Sequence, residues 1–230
     1  MLFVAAFAYG AWRYVVDFGA SRAEGHRVAP ALTADGGLFA LFAAHHSLMA
    51  RTWAKRRLAR HLPASLERAI YVWVASALFI LLCAAWRPLP GLAWRATGLP
   101  ALLGLGLQAL GALVLGGAVR SLDVRSFVGV GAPPGARDPG PRPPADVRSA
   151  TEIWSRGPYR WVRHPIYLAT LLLMGAMPTM TADRLALVLF VAAYAVVAIP
   201  WEERTLVERH GEAYEAYRRR VRWRLLPGVY

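Results

Sequence analysis

The sequence is poor in what marks a soluble or a cross-linked protein. Of its 230 residues only one is cysteine, Cys83, which excludes a disulfide scaffold. Only 18% are charged, against about a quarter in an average soluble domain. No CxxC, HExxH or GxSxG pattern occurs, so neither a zinc site nor a serine hydrolase elbow is supported, and no metal is expected. Lysine is nearly missing: 26 of the 27 basic residues are arginine. What is present is apolar. The aliphatic and aromatic set makes up 57% of the chain, with nine Trp and a mean hydropathy of +0.34. This excludes disorder and fits a single soluble domain poorly. The net charge is 27 − 14 = +13. On a soluble protein that excess would point to nucleic acid. On a chain this apolar it points to connections held against anionic lipid, and no nucleic-acid partner is expected.

Six stretches approach the length a bilayer requires, roughly 17–25 residues. They are residues 2–20, 32–50, 69–86, 97–119, 165–182 and 184–201. The first carries Arg13 and Asp17, four apart on one helix face and able to pair inside a bundle. It lacks a basic n-region and reads as a retained helix rather than a signal peptide. Charge orients the set. The 51–68 connection holds six basic residues, the 120–164 connection eight and the tail after 201 seven, against two, two and one in the other three. Six spans put every basic connection on one side, which the positive-inside rule makes the cytoplasm, with both termini there. The expected address is therefore a membrane, with these connections on its cytoplasmic side. The basic 51–60 stretch reads as a lipid-facing interfacial segment. Residues 131–146, GAPPGARDPGPRPPAD, cannot be helix or interior strand. They divide an N-terminal four-helix region, 1–130, from a C-terminal module, 150–230, with a cytoplasmic loop over 131–149.

Gly104-Leu105-Gly106 and Gly111 look faintly like a nucleotide loop, but they follow no strand. They read as small residues for close helix packing. The densest chemistry is in RGPYRWVRHPIY, residues 156–167. Proline suits a first helical turn, so a helix is expected to start at Pro165 with His164 at its mouth. Arg156, Arg160, Arg163 and His164 at a helix N-terminus make an anion site, with Tyr159, Trp161 and Tyr167 beside it. The same residues also suit an interfacial anchor. A second dense segment, PWEERTLVERHGEAYEAY at 200–217, puts Glu202 and Glu203 at the end of the last span. A hairpin of the last two spans returns them to the membrane face of His164. That place suits a zwitterionic ligand with an aromatic base, or a plain Glu–Arg surface network. His45 and His46, beside Ser47 in the second span, are ionisable groups in an apolar setting. Successive helix positions point about 100° apart, so the two rings are not expected to share one task.

GPYRWVRHPIYLATLL followed by EERTLVERHGEAYEAYRRRVRWRLLP resembles the C-terminal module of the isoprenylcysteine carboxyl methyltransferase and phospholipid methyltransferase superfamily. The resemblance covers about residues 150–227. HHSLMAR at 45–51 and residues 67–90 resemble, more loosely, the bacterial branch that includes methanethiol S-methyltransferase and NnrU-like proteins. The resemblance implies an all-α, polytopic integral membrane helical bundle of about six transmembrane helices with a C-terminal cofactor-binding helical module. It also implies S-adenosyl-L-methionine as methyl donor, with S-adenosyl-L-homocysteine as product. By position it implies donor contacts from Tyr159, Arg163, His164, Pro165, Ile166, Tyr167, Glu202 and Glu203. Thr151 to Trp154 align with a further contacting segment of different residue types. Three positions depart from the family pattern. Ala169 replaces a glycine. Ala198 stands where eukaryotic members place a substrate-contacting arginine, which speaks against a prenylcysteine carboxylate as acceptor. His210 replaces a phenylalanine, which changes packing.

On this reading a small thiol or a lipophilic molecule accepts the methyl group in direct transfer. Holding the two reactants in line in a dry pocket supplies most of the catalysis. Arg163 and His164 would either lower the thiol pKa by their field or bind the donor's carboxylate. His45 or His46 would accept a thiol proton; Arg163 completes the catalytic candidates. A phospholipid amine is an alternative acceptor. A different class is also consistent: an NnrU-like non-enzymatic membrane protein holding haem through His45, His46 or His164. Membrane lipid is an expected partner in either case, and the sequence is silent on oligomeric state.

Overall fold

The computed structural model describes residues 2–20, 27–49, 63–121 and 156–230, with Arg51, Ala54, Arg57, Arg60 and Trp154 between them. The 131–149 loop, Thr151, Glu152, Ile153 and most of the basic 51–60 stretch lie outside the described residues. The elements in order are α1 (Leu2–Trp12), α2 (Val28–Met49), α3 (Ala64–Ala84), β1 (Leu92–Arg95), α4 (Gly98–Ser121), α5 (Pro165–Gly175), β2 (Thr179–Thr181), α6 (Ala182–His210) and α7 (Glu212–Arg220). A π turn at Arg13–Asp17 continues α1, and a 3-10 turn at Gly157–Arg160 precedes α5. Three of the six expected spans, α2, α4 and α6, are by themselves long and apolar enough to cross a membrane. The apolar part of α3 (Ala69–Ala84) and α5 are shorter.

Two boundaries differ from expectation for local reasons. The fifth span was expected to run to residue 182, but α5 stops at Gly175. Pro178 follows, and 179–181 turn into a strand paired antiparallel with β1, Arg95 opposite Thr179 and Leu92 opposite Thr181. The sixth span was expected to end at 201, but α6 continues through Pro200 to His210. The first six residues past Pro200 include good helix formers, and a proline costs a helix one backbone bond rather than forbidding it.

The chain divides into two compact units, Met1–Gly106 with Met174–Val196, and Leu107–Leu173 with Val197–Tyr230. In the first, Tyr14, Phe18, Leu82, Trp86 and Leu187 form an apolar core. Buried charged side chains satisfy its loop backbone. Asp183, at the start of α6, accepts from Trp86 Nε1 (2.7 Å) and from the Leu89 amide (2.8 Å). Asp35 of α2, fully buried, accepts from the Arg87 amide at 2.9 Å. Arg184 donates to the carbonyls of Tyr14, Val15 and Thr179 at 3.1, 2.7 and 2.6 Å. It thus serves carbonyl groups that the end of the π turn leaves over. Arg13 and Asp17 form the expected i,i+4 ion pair.

In the second unit α4 meets α5 through a glycine. A Cβ on Gly111 would lie 3.0 Å from Leu172 Cβ and 3.1 Å from the Ala169 carbonyl oxygen. Gln108 Nε2 donates to the Leu173 carbonyl at 2.9 Å, which ties the same pair of helices by a polar bond. Around Gly106, by contrast, an added Cβ meets nothing within 4 Å. The expected packing role therefore holds for Gly111 and not for Gly106. Gly111→Leu is expected to lower stability by about 1–3 kcal/mol through overpacking, whereas Gly106→Leu changes it little. Thermal melting of both variants in detergent checks the contrast.

Candidate functional site

The site belongs to the second unit and begins with a turn. Gly157 has φ +52, a region open to glycine, and a Cβ there would lie 2.8 Å from Ser121 Oγ. The 3-10 turn that follows delivers Val162, Arg163, His164 and Pro165, all buried. Helix α5 starts at Pro165 as expected, and the His164 carbonyl accepts an early helical bond from Leu168 N. Because Arg163 and His164 precede the helix, their amides have no partner within it. They donate instead to the Trp223 and Arg224 carbonyls, each at 2.9 Å. The segment after α7 therefore lies along the start of α5 as a strap.

The Arg163 side chain is buried and bonded through Nε and Nη1. Its Nε donates to Glu203 Oε1 at 2.6 Å, and its Nη1 donates to the Val221 and Arg222 carbonyls at 2.7 and 2.8 Å. Glu203 gives its second oxygen to Arg224 Nε at 3.1 Å and is 3% exposed. It lies past Trp201, beyond the apolar stretch of α6. Burial alone would raise its pKa. Contacts from His164 and Arg163 and the charges of Arg163 and Arg224 outweigh burial and bring it down to about 2. Arg224 shows the counterpart. Burial lowers its pKa, but the Glu203 charge wins and the net shift is upward.

Beside this buried centre lie the remaining candidate groups. Glu202 lies one position back on α6, about 100° round the helix, and its side chain is 49% exposed. Its Oε2 is 3.7 Å from His164 Nδ1. His164 Nε2 is buried, 3.5 Å from Glu203 Oε1 and without an aligned hydrogen bond. The Tyr167 ring centroid is 6.0 Å from that of His164. The Tyr159 phenol is pushed up to about 12, first by burial and then by the Glu202 charge. The expected convergence of His164, Glu202, Tyr159 and Tyr167 is therefore present. Pro165 is buried and Ile166 half-buried at the head of α5.

An aromatic wall holds the Tyr159 side. Tyr217 OH donates to the Tyr159 carbonyl at 2.8 Å. The Tyr217 ring stacks on Trp154, 5.4 Å between centroids at 12°. His210 meets Trp154 edge-on at 5.2 Å and 90°, filling an aromatic position by packing.

His45 and His46 lie in the first unit. There both rings engage one residue, which the 100° argument did not anticipate. Tyr71 of α3 bonds His46 Nδ1 through its hydroxyl at 2.9 Å, while its ring lies parallel to that of His45 at 5.9 Å. Next to them Ser47 Oγ and Tyr194 OH share a 3.0 Å hydrogen bond. Tyr71 and Tyr194 were missed in the sequence. The signal was present: each is a hydroxyl-bearing residue inside an apolar stretch, where a polar group needs a partner.

The profile of the isoprenylcysteine carboxyl methyltransferase (ICMT) family matches residues 146–208. The chain is 37% identical to methanethiol S-methyltransferase 2 of Bradyrhizobium diazoefficiens, over 80% of this chain and 69% of that protein. It is 34% identical to methanethiol S-methyltransferase of Mycobacterium tuberculosis, over 96% of this chain and 90% of that one. It is 32% identical to the protein of that name from a Pseudomonas strain, over 83% and 72%. No solved structure matches.

The Glu203 network makes stability pH-dependent. Its carboxyl titrates near 2 when folded, against 4.5 ordinarily. Its contribution is thus complete above about pH 4.5 and lost as pH falls toward 2. The melting temperature of the wild type is expected to fall through that window. Glu203→Gln is expected to start about 3–5 kcal/mol less stable at pH 6 and to show a shallower decline. Equal slopes for the two proteins would contradict the assignment.

Proposed function

The chain belongs to the isoprenylcysteine carboxyl methyltransferase family of membrane methyltransferases, and from that premise we propose that it transfers a methyl group from S-adenosyl-L-methionine to a small thiol, methanethiol or one like it. The single observation that supports a donor site most is His164 with Glu202: a buried imidazole with an unsatisfied Nε2 beside a half-exposed carboxylate, walled by tyrosines. That donor set fits a zwitterion carrying an adenosine. Glu202 would accept from the ammonium or ribose hydroxyls. His164 would donate to the carboxylate, and Tyr159 and Tyr167 would lie against the base or face the sulfonium. Pro165 and Ile166 would line the same pocket in the 150–230 module. When bound, S-adenosyl-L-methionine supplies an electrophilic methyl group.

The chain's own work is to bind, orient and dry the reactants. A thiol must also lose its proton. His46 is suited to receive it in the tautomer whose Nδ1–H donates to the Tyr71 hydroxyl oxygen, because Nε2 then carries the free lone pair; His45 is the second candidate. The relatives named methanethiol S-methyltransferase support the thiol over a prenylcysteine carboxylate, and Ala198 in place of an arginine agrees. We place the protein in a bacterial inner membrane with both termini cytoplasmic, on the distribution of arginine.

Calorimetric titration of S-adenosylhomocysteine into detergent-purified protein tests the donor site. Micromolar binding is expected, weakened at least about thirtyfold, or about 2 kcal/mol, by His164→Ala and by Glu202→Ala in variants that melt like the wild type. A folded wild type that binds nothing, in detergent and again in nanodiscs, would sink the proposal. A Soret band in the purified protein would instead favour haem.

A further inference from the structure

Arg163 and Glu203 carry the family motifs, yet both side chains are nearly closed off, 7% and 4% exposed. Arg163 makes three hydrogen bonds through Nε and Nη1, and two arginines hold Glu203. Three of the groups they hold belong to the segment that follows α7. Val221 and Arg222 present carbonyls to the Arg163 guanidinium, and Arg224 presents its own guanidinium to Glu203. The same segment takes the Arg163 and His164 amides through the Trp223 and Arg224 carbonyls. Val221 and Leu225 are buried pegs at either end, 3% and 5% exposed. Arg224 also lies over the Tyr230 ring at 5.2 Å, and the Leu225 amide donates to the Tyr230 carbonyl at 2.8 Å. The strap is therefore closed on itself as well as fastened to α5 and α6.

The consequence is positional. His164 is held between two residues whose places are fixed: Arg163 by the strap and Glu203, and Pro165 by the helix it starts. Glu202 takes its place from Glu203, one step along α6. We propose that residues 221–230 are an integral part of the donor site. In this assignment Arg163, Glu203 and Arg224 are positioning residues that set His164 and Glu202, and they do not touch the donor. The assignment rests on the donor-site reading above for what is bound, but the strap itself can be tested without any ligand.

Two arms separate these questions. Arg224 is 30% exposed at its side chain, and its loss leaves the Arg163–Glu203 pair intact, so Arg224→Gln is expected to fold. In hydrogen exchange of the full-length protein, Arg224→Gln and Glu203→Gln are expected to speed exchange in peptides covering 161–168. Peptides from Val28–Met49 should be unchanged. In calorimetry, Arg224→Gln should weaken S-adenosylhomocysteine about tenfold and Arg224→Lys, which keeps the charge, by less than about threefold. In turnover, Arg224→Gln should raise KM for the donor while kcat at saturation stays within about threefold. Wild-type exchange at 161–168 in a folded Arg224→Gln overturns the strap. So does a fall in kcat at unchanged KM, which would put these groups on the reacting atoms. A wild type that binds no S-adenosylhomocysteine defeats the donor reading alone, and the exchange arm still decides whether the strap positions His164. Should Glu203→Gln fail to fold, the Arg224 pair carries the decision.

Discussion

The carboxylate of Glu203 is the point on which the second unit turns. A buried charge is costly unless every lone pair finds a partner, and here both oxygens meet guanidinium groups. Those two arginines come from opposite ends of the module, Arg163 before α5 and Arg224 after α7. One carboxylate on α6 therefore joins three segments separated by 40 and 21 residues. Losing the buried partner, Arg163, would leave Glu203 with only the part-exposed Arg224, whereas the exposed Arg218–Glu215 pair on α7 gains little from its 3.0 Å contact. The buried Glu203 fixes the local geometry, and its half-exposed neighbour Glu202 is the group proposed to meet the donor.

The first unit applies the same physics at another place. Polar side chains are scarce in this chain, so those that are buried work on the backbone. Asp183 and Asp35 take the amides of the loop after α3, and Arg184 takes carbonyls near the π turn. An amide or carbonyl left without water or a partner costs about as much as a lost hydrogen bond. In a chain of apolar helices, loop ends at the helix termini are where that cost concentrates, and charged side chains meet it there.

Much of this was legible in residues whose local physics is strong. Proline's fixed φ marked the start of α5 at Pro165, and the Arg13–Asp17 spacing marked an ion pair. Glu202 lies beside His164, where the order of the last two apolar stretches puts it. Other features depend on partners far along the chain. Arg184 counted as one charge in a short turn, and only the fold shows it bound to carbonyls. Tyr71 was one aromatic among many until α2 set His45 and His46 against it. The end of α5 at Gly175 follows from strand pairing with 92–95, which three residues of alternation cannot announce. The segment VRWRLLPGVY has no helical or strand period, so nothing local marked it as a strap. Arg163 and Glu203 stand in the dense motifs and are joined by an ion pair, but spacing alone does not separate a residue that touches a ligand from one that holds its neighbour.

The membrane setting fits the chemistry proposed. Methyl transfer from a sulfonium to a thiolate disperses charge, and a dry pocket then helps because little solvation has to be replaced. The most direct test supplies purified protein in nanodiscs with methyl-labelled S-adenosylmethionine and methanethiol, and measures labelled dimethyl sulfide in the headspace. The account predicts enzyme-dependent, saturable release of labelled product. No labelled product from a folded protein that binds the donor would contradict the thiol as acceptor, and with it the central claim.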